Sequence, residues 1–292
     1  MNLKTILLAY LLIYAFQPTA LAQLYSGSTK EETQIENMVS QLKSGDVIVI
    51  GEIHDHPKHH FNQKELLNEL WAQGVHFDVG MEFFYDFRKQ KYVDQYLYNK
   101  ISEADFLKQM NWGGDNFDFY RDLVLLPLEV NGWTYAINAP RELTSAVAKD
   151  GLENLSPHLK NLLPVDFEIG NNNYFERFKE AVGGDHVPKD KLDNYFAAQS
   201  IWDDTMAWMS LSSFEHSKSD VFVIIVGDFH VAFGGGLPDR LKARGAQRVI
   251  TVSQIDSSGL NKSEKLELLE PDAQWGQRAD WIWLSDREES SK

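Results

Sequence analysis

Val47-Ile48-Val49-Ile50-Gly51-Glu52-Ile53-His54-Asp55-His56-Pro57-Lys58-His59-His60 is the stretch that decides how the chain is read. Four consecutive apolar, β-branched residues suit a strand covered on both faces, as inside a parallel sheet. The run ends at a glycine, and a carboxylate and four histidines follow. In open α/β sheets, ligands bind beyond the carboxyl ends of the parallel strands, so Glu52 and His54 are site candidates by position and chemistry. His56, His59 and His60 carry two readings at this point, as part of that site or as solvated residues opening the next helix.

Working outward, Val221-Phe222-Val223-Ile224-Ile225-Val226-Gly227-Asp228-Phe229-His230 repeats the same grammar of apolar run, glycine, acid, apolar residue and histidine. Phe77 to Glu82 is a short strand ending on a carboxylate, and Trp133 to Asn138 is another, followed by Ala139-Pro140-Arg141 and a helix. Val249 to Ser253 reads as a strand, and Trp281 to Leu284 as a late edge strand. Helical spacing fills the intervals at about 59–73, 86–98, 102–110, 117–130 and 191–213. Strand alternating with helix predicts an α/β fold, a mainly parallel central sheet with helices on both faces. Thr29-Lys30-Glu31-Glu32 matches a capping box and predicts a helix from there through Leu42. Residues 152–190, interrupted by Pro157, Pro164 and two glycine-containing breaks, read as a helical insertion that is either a lid over the site or a surface excursion. The expected organisation is one domain over residues 23–285, with 286–292 a charged, frayed tail.

The 292 residues carry a formal charge of −15 and no basic stripe, which argues against nucleic acid as a partner. Residues 1–22 combine Lys4, an apolar run from Ile6 to Phe16 and an Ala20-Leu21-Ala22 ending, the pattern of a cleavable secretory signal. The competing reading, a membrane anchor, is disfavoured because the run falls short of the roughly 20 residues of a spanning helix. Cysteine is absent, so there is no disulfide, thiol nucleophile, thiolate ligand or residue for lipid attachment. The expected location is the periplasm or the medium, without a stable membrane anchor.

Strand ends thus deliver Glu52 and His54, Glu82, Asn138 with Arg141, and Asp228 with His230 to one crevice. As oxygen and nitrogen donors, His54, His230, Glu52 and Glu82 could hold a divalent metal with an open position for water, and Glu52, Glu82, Asn138 and Arg141 could carry catalysis. A metal-free acid/base pair uses the same residues equally well. No HExxH and no GxSxG occurs, and Gly234-Gly235-Gly236 lacks dinucleotide-binding spacing.

GEIHDHPKHH, VGMEFF, NAPRELTSAVAKDG, AAQSIWDDTMAWM and VGDFHVAFGGGLPDRL, in that order over roughly residues 40–245, resemble the ChaN-like haem-binding uptake family of the Tiki superfamily. The superfamily's two GxxH elements and glutamate match Gly51 to His54, Gly227 to His230 and Glu82. The resemblance implies haem as cofactor, a role in iron acquisition, and a homodimer holding two stacked haems through a tyrosine ligand. Tyr85 and Tyr195 are the candidates for that tyrosine, with core or rim packing as the alternative for each, and His56 and His59 are candidate partners of the iron or the propionates. Related Tiki and TraB-like members imply the other reading, a peptidase-like metal-dependent hydrolase.

Overall fold

The computed structural model describes residues 23–113, 116–182 and 187–287. The expected signal segment, residues 1–22, and the end of the expected tail, residues 288–292, lie outside the described residues. Eight strands form one mixed sheet: β1 (Gln23–Ser26), β2 (Glu32–Thr33), β3 (Asp46–Glu52), β4 (Phe77–Met81), β5 (Thr134–Ala136), β6 (Val221–Gly227), β7 (Arg248–Asp256) and β8 (Trp281–Ser285). Their order across the sheet is β2-β1-β8-β7-β3-β6-β4-β5. β5, β4, β6, β3, β7 and β8 run parallel, and the β1–β2 hairpin joins antiparallel at the β8 side. The fold is therefore α/β with a mainly parallel sheet.

Every residue of β3 is buried, and its side chains alternate between two cores. Ile48 and Ile50 face a layer with Leu66, Leu67 and Leu70 of the Pro57–Ala72 helix and Val124 of the Asp118–Leu125 helix. Val47 and Val49 face Met206 and Ala207 of the Leu192–Glu215 helix and Leu241 of the Leu237–Ala243 helix. Because β6 returns between β3 and β4, register places Glu52 beside Gly227. Glu82 stands next to them, its amide bonded to Ile225 O at 3.1 Å. The two GxxH elements and the glutamate thus meet at one sheet edge.

Three expectations are corrected at the chain's ends. The capping box at Thr29 does not form. Ser26 N bonds Glu31 O at 3.0 Å in a tight turn with Lys30 at φ 60°, Glu32–Thr33 pairs as β2, and the helix spans only Ile35–Val39. Pairing of Glu32 and Thr33 with Tyr25 and Leu24 of β1 uses the backbone groups that a helix would have needed. β8 is not an edge strand, because β1 covers its free side, and Leu24 and Trp283 pair across that junction. The tail is tied down at its start: Asp286 accepts from Ser257 Oγ at 2.7 Å and pairs with Lys265, while Arg287 bridges Asp55 and Asp256. Among the described residues, no helix is long and apolar enough to cross a membrane.

Candidate functional site

Glu52 ends β3 almost wholly buried, a placement that a carboxylate tolerates only with its oxygens bonded. Tyr120 OH donates to Oε1 at 2.6 Å, Gln63 Nε2 donates to Oε2 at 2.5 Å, and His54 Nδ1 lies 3.2 Å from Oε1. His60 closes this corner by bonding His54 O through Nε2 at 2.8 Å and stacking on Phe119. The His54 ring, 45% exposed, stands edge-on to Phe83 and is the solvent-facing end of the cluster.

The second cluster centres on His230. Its Nδ1 donates to Asp203 Oδ1 at 2.6 Å, and its Nε2 lies 3.5 Å from Glu82 Oε1. Burial opposes charge on the ring, but Asp203 and Glu82 overcome it and push the imidazole up to about 10. Burial likewise works to raise Glu82, yet His230, His54 and the Gly227 amide, which donates to Oε2 at 2.6 Å, hold it below the usual carboxylate range. Near neutral pH the pair is imidazolium and carboxylate. Tyr174 OH donates to Asp203 Oδ2 at 2.8 Å and receives the Gln199 amide at 2.9 Å. Gln199 and Asp203, four residues apart on the long helix, thus present one polar face to His230.

The two GxxH elements lock together through their glycines. A Cβ on Gly51 would sit 2.3 Å from Asp228 Oδ1 and 2.8 Å from Asp228 Cα, and a Cβ on Gly227 would sit 2.9 Å from His54 Cε1. Each glycine is the bed for a residue of the other element. Asp228 in turn accepts from Ser253 Oγ at 2.6 Å and pairs with Arg278.

The other sequence candidates fall in different places. Asn138 is buried and joins loops, donating to Glu82 O at 3.0 Å and accepting from Ala139 N at 2.7 Å, so it orients the β4 end. Arg141 lies 3.9 Å over the Tyr85 ring. Burial and Glu82 raise the Tyr85 phenol above its ordinary value, and a hydrogen bond from Arg141 works against them. His56 and His59 are fully buried beneath the first turn of the Pro57–Ala72 helix, stacked 3.9 Å apart, and His59 Nδ1 accepts the Ile53 amide at 3.0 Å. Burial and the neighbouring histidines pull His59 down to about 3, so it is a neutral packing group. His56, His59 and His60 are therefore neither solvated nor on an open face. Tyr195, in the first turn of the long helix, is 38% exposed. Tyr120, Gln63, Tyr174, Ser253 and Arg278 complete the site without having been singled out as its members. Gln63 alone of these carries a weak sequence signal, its place on the helix that directly follows β3.

A model of the haem-binding uptake family, Tiki superfamily, ChaN, matches residues 38–241, more than two thirds of the chain. The chain belongs to this ChaN family. A solved structure described as cofacial heme binding to ChaN of Campylobacter jejuni superposes with a TM-score of 0.64 at 19% identity, covering 90% of this chain and 96% of that one. The type III effector HopBA1 superposes at 0.48 and a Bacillus cereus protein at 0.46, both 12% identical, covering 87% and 86% of this chain and 94% and 90% of theirs. None of the curated proteins matches the chain.

Membership of the ChaN family raises the question of which residues suit a haem. Tyr85 and Arg141 open on a cavity of about 300 Å³ also lined by Lys89, Met110 and Pro140 and by Arg88, which pairs with the lining carboxylates Asp86 and Glu142. A phenol is a known axial donor to haem iron, and guanidinium and ammonium groups pair with carboxylates. The donor set at Tyr85 therefore fits the group. The divalent metal read onto His54, His230, Glu52 and Glu82 is not supported: among the described residues, no three or more His, Asp or Glu side chains are placed to hold an ion. The physical reason is that the donors are already committed, Glu52 to Tyr120 and Gln63, Glu82 to Gly227, and His230 to two carboxylates.

Proposed function

We propose that this protein is an exported haem-binding protein of bacterial iron acquisition, with Tyr85 as the iron-facing residue and Arg141, Arg88 and Lys89 as partners of the propionates. The observation that carries the reading is the Tyr85 phenol under the Arg141 guanidinium beside a cavity where Arg141 and Lys89 stand with Arg88, itself paired to Asp86 and Glu142, in a chain of the ChaN family. Bound haem would supply a ferric Lewis acid at this site, Tyr85 would hold it, and the Arg141 guanidinium over the Tyr85 ring works to lower the phenol's proton affinity. The cavity is at the small end of ligand pockets, so much of the macrocycle would lie outside one chain, which supports a homodimer closing over it. Export is supported by the leader pattern of residues 1–22.

Titrating the mature protein with haemin should give a Soret shift saturating near one haem per chain. Tyr85→Phe should weaken binding by at least about tenfold and alter the charge-transfer bands, with the fold unchanged by circular dichroism. Absence of saturation would remove the haem reading. An unaltered spectrum in Tyr85→Phe would remove Tyr85 alone.

A second reading, hydrolysis by acid–base catalysis without a metal, rests on one observation: Glu52–His54 and Asp203–His230 are two imidazole–carboxylate pairs whose imidazoles both act on the Glu82 carboxylate. It expects slow turnover of activated esters or peptides that His230→Gln brings to the buffer rate. Equal rates for the variant and the native protein would exclude it.

A further inference from the structure

Beside the His230 cluster lies a cleft of about 480 Å³ that neither reading uses, walled by Phe229, Phe233, Arg177 and Arg278. Arg177 reaches it from the Asn172–Ala181 helix and is 92% removed from solvent, with 8% exposed. Its guanidinium lies 4.4 Å over Phe229 and 5.7 Å from the Phe233 ring, and its hydrogen bond goes to a carbonyl, Phe229 O, at 2.8 Å. Among the described residues no carboxylate bonds it. Asp203 is committed to His230 and Tyr174, and Asp228 to Ser253 and Arg278. Burial, the largest influence, draws Arg177 below the usual guanidinium range, as expected for a desolvated cation without a direct anionic partner.

A guanidinium has five donors in a planar fork, and a buried one facing a cleft with most of them unclaimed suits an oxyanion. Phe233 holds a left-handed conformation, φ 62°, and its ring lines the cleft with that of Phe229, the Arg177 guanidinium lying within 6 Å of both. We propose that Arg177, with Phe229, Phe233 and Arg278, forms a binding site for a ligand with one carboxylate on a flat aromatic body. The carboxylate takes the Arg177 fork and the body lies between the two rings. Charge selects a monoanion: Asp228 neutralises Arg278, and Glu180 stands exposed at the rim, so a dianionic phosphate meets added repulsion. The site stands independently of haem binding at Tyr85.

Benzoate is the probe, with its neutral isostere benzamide and inorganic phosphate as comparison arms, titrated calorimetrically into the haem-free full chain. Benzoate should bind saturably at one site, more tightly than phosphate, with benzamide at least about tenfold weaker. The Arg177 Nε–H resonance should shift along the same isotherm. Arg177→Gln should weaken benzoate at least about tenfold. If that variant does not fold, the native Arg177 resonance and Phe233→Ala, expected to weaken benzoate severalfold, decide instead. Benzoate and benzamide binding alike, phosphate binding more tightly than benzoate, no saturable benzoate binding, or an Arg177 resonance unmoved at benzoate saturation would each overturn the proposal.

Discussion

Raising the pH from 6.5 to 10 is expected to lower the folding stability of this protein by roughly 1 kcal/mol per pH unit through His230 alone. Asp203 at 2.6 Å and Glu82 at 3.5 Å favour the imidazolium of the native state, whereas the unfolded chain releases that proton near 6.5. Because the folded value lies above the unfolded one, the contribution is fully present below pH 6.5 and is lost as pH rises through about 10. Urea melts at pH 6.5, 8 and 9.5 compare native protein with His230→Gln, whose stability should fall less steeply over the same window. In the folded state, Asp203→Asn should bring the imidazole titration, followed by NMR, down from about 10 towards its ordinary value. Matching slopes in the two melts, or a native His230 titrating near 6.5, would show that the two carboxylates do not charge this ring. The effect is large because the imidazolium, Glu82 and Asp203 are all buried, where removing one charge leaves the others uncompensated.

Much of this centre is legible in the amino-acid sequence. The apolar runs ending in Gly51-Glu52 and Gly227-Asp228 identify two buried parallel strands, and strand-end logic then brings Glu52, His54, Glu82 and His230 to one edge, where the sheet register places them. Gln199 and Asp203 stand four apart in the sequence and so share a helix face, but nothing local says which way that face turns. Side chains arriving from distant segments were not legible. Tyr120 comes from a helix 68 residues beyond Glu52, and Arg278 reaches Asp228 across 50 residues. The buried histidines illustrate the same limit. His56 sits 3.7 Å from Asp256, which Arg287 also engages, so the chain's end helps to cover what reads locally as a solvated helix start. β8 reads as an edge strand for the same reason, its outer partner β1 lying about 260 residues earlier.

The interlocked glycines yield the other large effect, and they separate a backbone constraint from a side-chain one. Gly51→Ala is expected to destabilise the fold by about 3 kcal/mol or more, because the new methyl meets Asp228 Cα at 2.8 Å as well as its carboxylate. No rotamer relieves a clash with Cα, so β3 and β6 must separate where they carry the site, and Asp228 must loosen its bonds to Ser253 and Arg278. Adding Asp228→Ala should rescue little, since Cα remains. Gly227→Ala differs, because its methyl meets Cε1 of His54, a ring with 45% of its surface in solvent and room to swing away. Its cost should stay near 1 kcal/mol and fall further in a His54→Ala background, a coupling read from the double-mutant cycle. Native-like stability in Gly51→Ala, or a Gly227→Ala cost unchanged without the His54 ring, would contradict the interlock. If Gly51→Ala carries that cost and the cycle shows the coupling, Gly51 is set by the backbone of the other GxxH element and Gly227 by its side chain, so each glycine answers to the other half of the pair.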